Sequence, residues 1–420
     1  MSTKRFHYAF LILLACSGMS LAVGITYNTA GIFFPSVLKE LGASRGALAL
    51  YMMGIGLFSA FFLPVAGKLF SKEGHIRLLL SVVALIHALT TASMGLFTNV
   101  YHFYVASVFL GLAMAFFFYV AIPSLISRWF AHNVGFYVGF CFAFTAGGAI
   151  VFNPIAAFVI ANYGWRMGYA SMGLCSLILI FVPVLLFIRS SPEEIGLRPF
   201  GIEKTSGQKV DERLTGASAS DVLKSITIIP VLVYVMSLSL YACLLVYLPS
   251  FASSKGMGLG LLAAISSMTM VGAVVGKIAL GALSDKAPIS ALAICGISGI
   301  IGTLAMLYGT SIPSAFLAGG FLYGIGYSTC TVQSTLLIKR IYGLRCFPQI
   351  YSTIMTVYAI LSATGMSLWG FLADARGGDF TLSFLLVALL SAVFALSSIT
   401  ALLMRKRVIW TESEKVYARS

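Results

Sequence analysis

Long apolar runs, separated by short polar turns, recur along almost the whole 420-residue chain. Most reach the roughly 20 residues that an α-helix needs to cross a bilayer. Twelve such runs are read, at about 8–34, 47–68, 76–97, 101–130, 134–162, 166–188, 226–251, 259–283, 288–309, 312–340, 347–372 and 379–404. Backbone groups in lipid need hydrogen-bond partners within the segment, and no strands of alternating polarity are present, so the runs predict helices and not barrel strands.

Composition sharpens this picture. The chain is 59% hydrophobic and 10% charged, with a mean hydropathy of +0.98, which excludes a water-soluble globular protein. The opening MSTKRFHYAF is basic like a leader, but its apolar run continues to about residue 34 with no small-residue cleavage pattern, so it is read as a retained first helix. The cysteines at 16, 141, 175, 243, 295, 330 and 346 lie on different spans and have no metal-ligand spacing. Neither a disulfide framework nor a metal or cofactor is expected.

The net charge of +14 would suit a nucleic-acid binder, but its distribution says otherwise. With both termini placed in the cytoplasm, the outer side receives only Lys39, Arg45, Arg166, Lys255 and Arg376, while nearly all other Lys and Arg fall on the inner side. This is the positive-inside pattern of a multi-pass protein, and it points to contact with the bilayer and no nucleic-acid partner. The short termini suggest a plasma (inner) membrane.

The longest polar segment lies between the sixth and seventh spans. The expected organisation is a six-helix bundle over 1–188, a cytoplasmic loop over 189–224, a second six-helix bundle over 225–404 and a basic tail over 405–420. Faint self-similarity supports the division: GKLFSKEG at 67 matches GALSDKAP at 281, and LISRW at 125 matches LIKRI at 337. Repeats of this kind place a substrate site near mid-membrane between the halves.

Six plus six spans, a long middle loop and a G-x-L-x-D-[KR]-x-G-like turn in each half resemble the major facilitator superfamily, along the whole chain. SRWFAHNVGFYVGF, the GWR at 164–166 and SPEEIGLRPFG resemble more narrowly the branch of oxalate:formate antiporters and monocarboxylate transporters. The resemblance implies an all-α fold of two pseudo-symmetric six-helix bundles, no enzymatic activity, and transport by alternating access. It also implies a gating role for Gly67, Ser71, Gly74, Gly281, Asp285, Lys286 and Arg340. The first turn departs from the motif, with Ser71 at its acidic position. Ser71 can cap an amide but cannot form an ion pair, so the gate is expected to lean on Asp285 with a partner among Lys339, Arg340 and Arg345.

All 13 acidic residues fall in turns, tails or helix ends, so a deep carboxylate for a proton or a cationic substrate is missing. The cation at depth is Lys277, eight residues before Asp285 and therefore about 12 Å inward along a helix, near the middle of a core roughly 30 Å thick. Insertion there costs about 2.5–3.5 kcal/mol, and such residues usually face a cavity or a partner. A snorkelling or carbonyl-bonded lysine is the structural alternative. An anionic substrate is the simplest partner. The resemblance agrees, since K-x-x-x-G-x-x-S-D-K matches R-x-x-x-G-x-x-S-D-K, where the family's arginine binds a substrate carboxylate; lysine keeps the charge and loses the fork. The residues matching other charged family positions are Ala273, Asn28 and Ala359, the last beside Tyr358. One cation thus favours a monocarboxylate over a dicarboxylate.

Polar side chains that could complete the site are Asn28, Tyr27, Tyr119, Tyr358, Tyr323, Tyr327 and Gln333, with Asn153 and Tyr241 behind them. His87 reads as a buried structural imidazole in preference to a proton relay. Gly272-x-x-x-Gly276 and Gly147-Gly148 have the spacing of helix-packing residues. The function expected is secondary transport of a small organic anion by a monomer, through anion exchange or with a proton. A drug or lipophile exporter of the same fold, with Lys277 serving gating, is the alternative, and a transporter-like sensor a remote one.

Overall fold

The computed structural model describes residues 7–42, 45–71, 75–201, 216–257 and 259–408. Its regular elements are helices, and the apolar ones begin with α1 (Ala9–Phe34), α2 (Leu50–Ser71), α3 (Ile76–Leu96) and α4 (Val100–Trp129). Next comes one helical stretch, Val134–Phe187, of 54 residues. At 1.5 Å per residue it would extend about 80 Å, far more than one crossing requires. Gly164 divides it, with φ 82° and ψ 164°, a backbone that a side chain would strain. The halves are α5 (134–163) and α6 (165–187). They are followed by α7 (Ile228–Tyr247), α8 (Ala264–Lys286), α9 (Pro288–Ser311), α10 (Pro313–Tyr342), α11 (Phe347–Ala373) and α12 (Thr381–Arg407). Eleven apolar stretches among the described residues therefore hold the twelve expected spans, because the fifth and sixth meet at one glycine without a polar loop.

The residues after that glycine hold the turn in place. The Trp165 indole and the Arg166 guanidinium both donate to Glu40, at 2.5 and 2.8 Å. Arg166 also donates to the Gly95 and Phe97 carbonyls. The GWR triplet thus ties the α5–α6 turn to the chain beyond α1 and to the end of α3. Arg166 also stacks over the Trp165 ring at 4.5 Å.

The chain forms two compact units, Met1–Gly207 and Gln208–Ser420. Phe61, Phe158 and Phe371 are among many large apolar side chains on the outer faces, where lipid is the natural solvent. Inside, hydroxyls avoid a bare apolar environment by donating one turn back, as Thr91 does to His87 and Thr303 to Gly299. Others join helices: Trp369 on α11 donates to the Leu240 carbonyl on α7 at 2.9 Å.

Several spans depart from α-geometry at depth. In the first unit α1, α4 and α6 carry wide π-type turns over Val23–Asn28, Ala115–Ala121 and Leu177–Phe181. In the second, α7 and α10 tighten into 3-10 turns over Leu244–Tyr247 and Ser328–Cys330. The α10 break follows from its sequence, GYSTCTVQS. Ser328, Thr331 and Ser334 all donate to nearby main-chain carbonyls and so compete with the regular ladder. Irregular turns inside helices recur at functional sites, and interrupted spans at transporter substrate sites.

Candidate functional site

Lys277 lies within the continuous helix Leu259–Lys286, of which α8 is the apolar part, and only 3% of its surface is exposed. The position follows from the helix: eight residues separate it from Asp285, near the helix end. Glycines bring α10 against this face. A Cβ on Gly276 would lie 2.8 Å from the Ser328 hydroxyl, and one on Gly272 would collide with the Phe321 carbonyl. The α10 break is thereby pressed against α8 at the level of the lysine. There the Cys330 thiol is within electrostatic reach of the Lys277 ammonium and in hydrogen-bond contact with the Tyr358 hydroxyl of α11. An ammonium, a thiol and a phenol from α8, α10 and α11 thus converge within one unit. Tyr358 was singled out by the sequence; Cys330 was not. The signal that could have revealed it is the hydroxyl-rich run STCT inside an apolar span.

The remaining sequence candidates have varied surroundings. Gln333 is buried and donates to the Leu280 carbonyl at 3.0 Å, one turn along α8 from Lys277. Tyr323 stacks on Tyr241 with ring centres 4.6 Å apart, and each hydroxyl donates to the other residue's carbonyl. This reciprocal clasp joins α7 to α10. Tyr327 ends the regular part of α10 and is half-buried. In the first unit Tyr27 and Asn28 lie in the wide turn of α1, where Asn28 donates to the Thr145 carbonyl at 2.9 Å. Tyr119 is buried in the wide turn of α4, edge-on to Phe118. Asn28, Gln333 and Tyr323 therefore each spend a donor on protein.

At the turn motifs, Ser71 closes α2 and its hydroxyl donates to the Gly67 carbonyl at 2.9 Å. This is the i to i−4 bond that a serine makes within a helix, so the hydroxyl is spent on a carbonyl of its own helix and not on capping an amide. Gly74 lies outside the described residues. In the second unit Asp285 and Lys286 lie in the last turn of α8 and Gly281 in the turn before it. Arg340, from the last turn of α10, donates to the Ser284 carbonyl and hydroxyl and is within electrostatic reach of Asp285. The first unit repeats the arrangement, with Arg128 of α4 donating to the Phe70 carbonyl at 3.4 Å. Arg128 and Arg340 occupy the same place in LISRW and LIKRI; Phe70 and Ser284 do so in GKLFSKEG and GALSDKAP. Both repeated motifs thus meet in space, an arginine from one capping the helix end formed by the other.

Residues 16–346 match the family described as Major Facilitator Superfamily. The chain belongs to the Major Facilitator Superfamily. It is a multi-pass membrane transporter, of a family that moves small molecules and does not catalyse their conversion. The transporter is 28% identical over 248 residues to MFS-type transporter pytF of Aspergillus terreus, a match covering 57% of this chain and 74% of that protein. Among solved structures it resembles FucP in the outward conformation, with a TM-score of 0.70, 16% identity and coverage of 94% of this chain and 99% of that one. FucP is the fucose:proton symporter of E. coli. The transporter also resembles the proton:xylose symporter XylE bound to 6-bromo-6-deoxy-D-glucose, with a TM-score of 0.71, 15% identity and coverage of 98% and 99%. At these identities the likeness speaks for the fold alone.

Proposed function

We propose that this transporter carries small organic anions of single charge, most simply monocarboxylates, with Lys277 as the anion anchor, across a plasma membrane with both termini in the cytoplasm. The observation that carries the reading is the placement of Lys277: 3% exposed, in mid-span, beside the interrupted segment of α10. A carboxylate brought there gains a charge-assisted hydrogen bond in a low-dielectric setting, and it restores to the ammonium some of the stabilisation lost by leaving water. Tyr358 contacts Cys330, which is itself within electrostatic reach of Lys277, and in this reading its hydroxyl is offered to the anion without adding charge. A dianion would carry its second charge into the same apolar surroundings, where the sequence supplies no further lysine or arginine at that depth. The branch resemblance supports the same substrate class, as does the alignment of Lys277 with a carboxylate-binding arginine. In this reading the end of α8, held by Arg340 and carrying Asp285, serves as the gate, and the two units exchange access by alternating conformations.

The test is uptake into proteoliposomes of labelled formate, acetate, lactate and pyruvate, with oxalate and succinate as dianions. Wild type should move a monoanion in preference to the dianions. Lys277→Ala should lose about 10- to 100-fold of that flux, the scale of one charged hydrogen bond, while Lys277→Arg retains some of it. Undiminished monoanion flux in the alanine variant overturns the anchor. Movement of lipophilic cations with acids ignored would favour an exporter.

A further inference from the structure

His87 lies in mid-α3, only 2% exposed. Its Nδ1 is 2.7 Å from the Ser176 hydroxyl on α6, while its Nε2 is buried and has no hydrogen-bond partner among the described residues. An orphaned buried imidazole nitrogen is costly, and a helix bundle this apolar could have dispensed with histidine altogether. The side chain borders a cavity of about 20 Å³, lined by Val23, Thr26 and Tyr27 of α1, Ile55 of α2, and Phe117 and Phe118 of α4. That volume accommodates about one water molecule. Two wide π-type turns, Val23–Asn28 and Ala115–Ala121, contribute lining residues, and a third, Leu177–Phe181, begins directly after Ser176. Such turns free main-chain carbonyls and let a helix shift register, which a purely structural histidine would not need.

We propose that His87 is a proton-binding site inside the first unit, loaded through this cavity, and that it couples a proton to transport. This deepens the anion-carrier reading and takes its cargo from it. The step requires the tautomer in which Nδ1–H donates to the Ser176 oxygen and Nε2 keeps its lone pair. A proton arriving on water then leaves an oxygen and forms Nε2–H; a neutral water and an imidazolium result, with Nδ1–H still held by Ser176. The charged and titratable groups around it are few. Tyr27 faces the same cavity from α1; α2 presents Ile55 and α4 presents phenylalanines, and on α6 Ser176 is preceded by Cys175. Along α3 itself the nearest charged residue is Arg77, ten positions away. Among the described residues no lysine, arginine, aspartate or glutamate lines the cavity, so a proton gained on His87 is a large local change of charge.

Two measurements on the full-length protein test this. In nanodiscs, histidine-labelled protein is followed by nitrogen NMR from about pH 4 to 8, with the His87 signal assigned by its loss in His87→Gln. The imidazole should pass from one neutral tautomer to the doubly protonated form, and Ser176→Ala should move its midpoint; a signal that stays neutral and unchanged throughout overturns the proposal. In proteoliposomes an inward gradient of about one pH unit should raise lactate accumulation several-fold and at most about tenfold in wild type. His87→Gln should lose this response while keeping lactate–lactate counterflow, which needs no net proton movement and also certifies folding. A gradient response equal in both proteins overturns the coupling. Absence of acid transport in wild type counts against the anion reading alone, and the NMR titration then decides the proton site.

Discussion

Glu40 receives the Trp165 indole and the Arg166 guanidinium, and the Arg166 hydrogen bond, ahead of that from Trp165, holds its carboxyl below the ordinary glutamate range. A depressed folded-state pKa means that the stabilisation is fully present above the ordinary value and disappears as pH falls through the folded one. The window therefore lies below the reference value of 4.5. In detergent, wild type should lose thermal stability as pH drops from that value, while Glu40→Gln should start lower at pH 7 and show a shallower acid decline. Identical pH profiles would disprove a role for the clamp. At this scale the sequence was partly readable. The GWR triplet was visible as a motif, but its partner Glu40 is more than 120 positions away, a distance that no local pattern spans. The depth of Lys277 could be read by counting along an uninterrupted helix to Asp285. Cys330 could not, because a thiol in an apolar span looks like packing until the Ser328–Cys330 turn brings it beside the lysine. His87 was legible as a buried imidazole, and it is one, but the unequal surroundings of its two nitrogens depend on Ser176, 89 positions away, and no local pattern shows them.

Among the helices, α8, α9 and α10 approach one another through glycine. A Cβ on Gly324 would meet the Thr269 carbonyl, and one on Gly319 would lie 2.8 Å from the Met306 nitrogen. Backbone on backbone leaves no flexible side chain to yield, so adding atoms here must push neighbouring helices apart. Gly324→Val should cost about 1–3 kcal/mol or more of stability, measured as a lowered unfolding temperature with reduced transport. Gly147 provides the control, because a Cβ there meets nothing within 4 Å. Gly147→Ala should stay within about 0.5 kcal/mol of wild type. Spacing predicted both Gly272-x-x-x-Gly276 and Gly147-Gly148 as packing pairs. The first packs at both positions, whereas only Gly148 of the second does, against Gly24. Small-residue spacing shows that a face can be approached closely, but which neighbour comes is decided by the assembled unit. The spans were legible for a simpler reason, since lipid imposes a length and an apolar content on each. Even at Gly164, where the helical stretch is broken by a single residue, the runs 134–162 and 166–188 fall on either side of the turn.

Across the whole chain, the two units repeat one device at the same helix ends. Arg128 and Arg340 each leave the last turn of α4 or α10 and donate to the last carbonyls of α2 or α8. Just beyond, Phe200 exchanges main-chain hydrogen bonds with Trp129 and Ala131, while Ala217 donates to the Tyr342 carbonyl. The two ends of the central polar segment are thus each fastened to the residues that follow a capping arginine. This explains why the faint sequence repeat survives at these motifs and hardly elsewhere: an arginine, a helix end and a strapped chain must meet together, whereas lipid-facing positions need only be apolar. The copies are unequal. Arg128 donates at 3.3 Å to Ser190 and 3.4 Å to Phe70, near the limit for a hydrogen bond, while Arg340 grips the Ser284 carbonyl and hydroxyl more closely. Lysine at either place keeps the charge and gives up the planar fork. Arg340→Lys should accordingly cost about 1–2 kcal/mol, the range of a charged hydrogen bond reduced for partial exposure, and Arg128→Lys appreciably less. Thermal unfolding of the two variants side by side measures the difference. Equal losses would mean that the closer contacts of Arg340 carry no extra weight. A larger loss at Arg128 would place the stronger fastening in the first unit, where Ser71 stands in for the aspartate that the second unit keeps at Asp285.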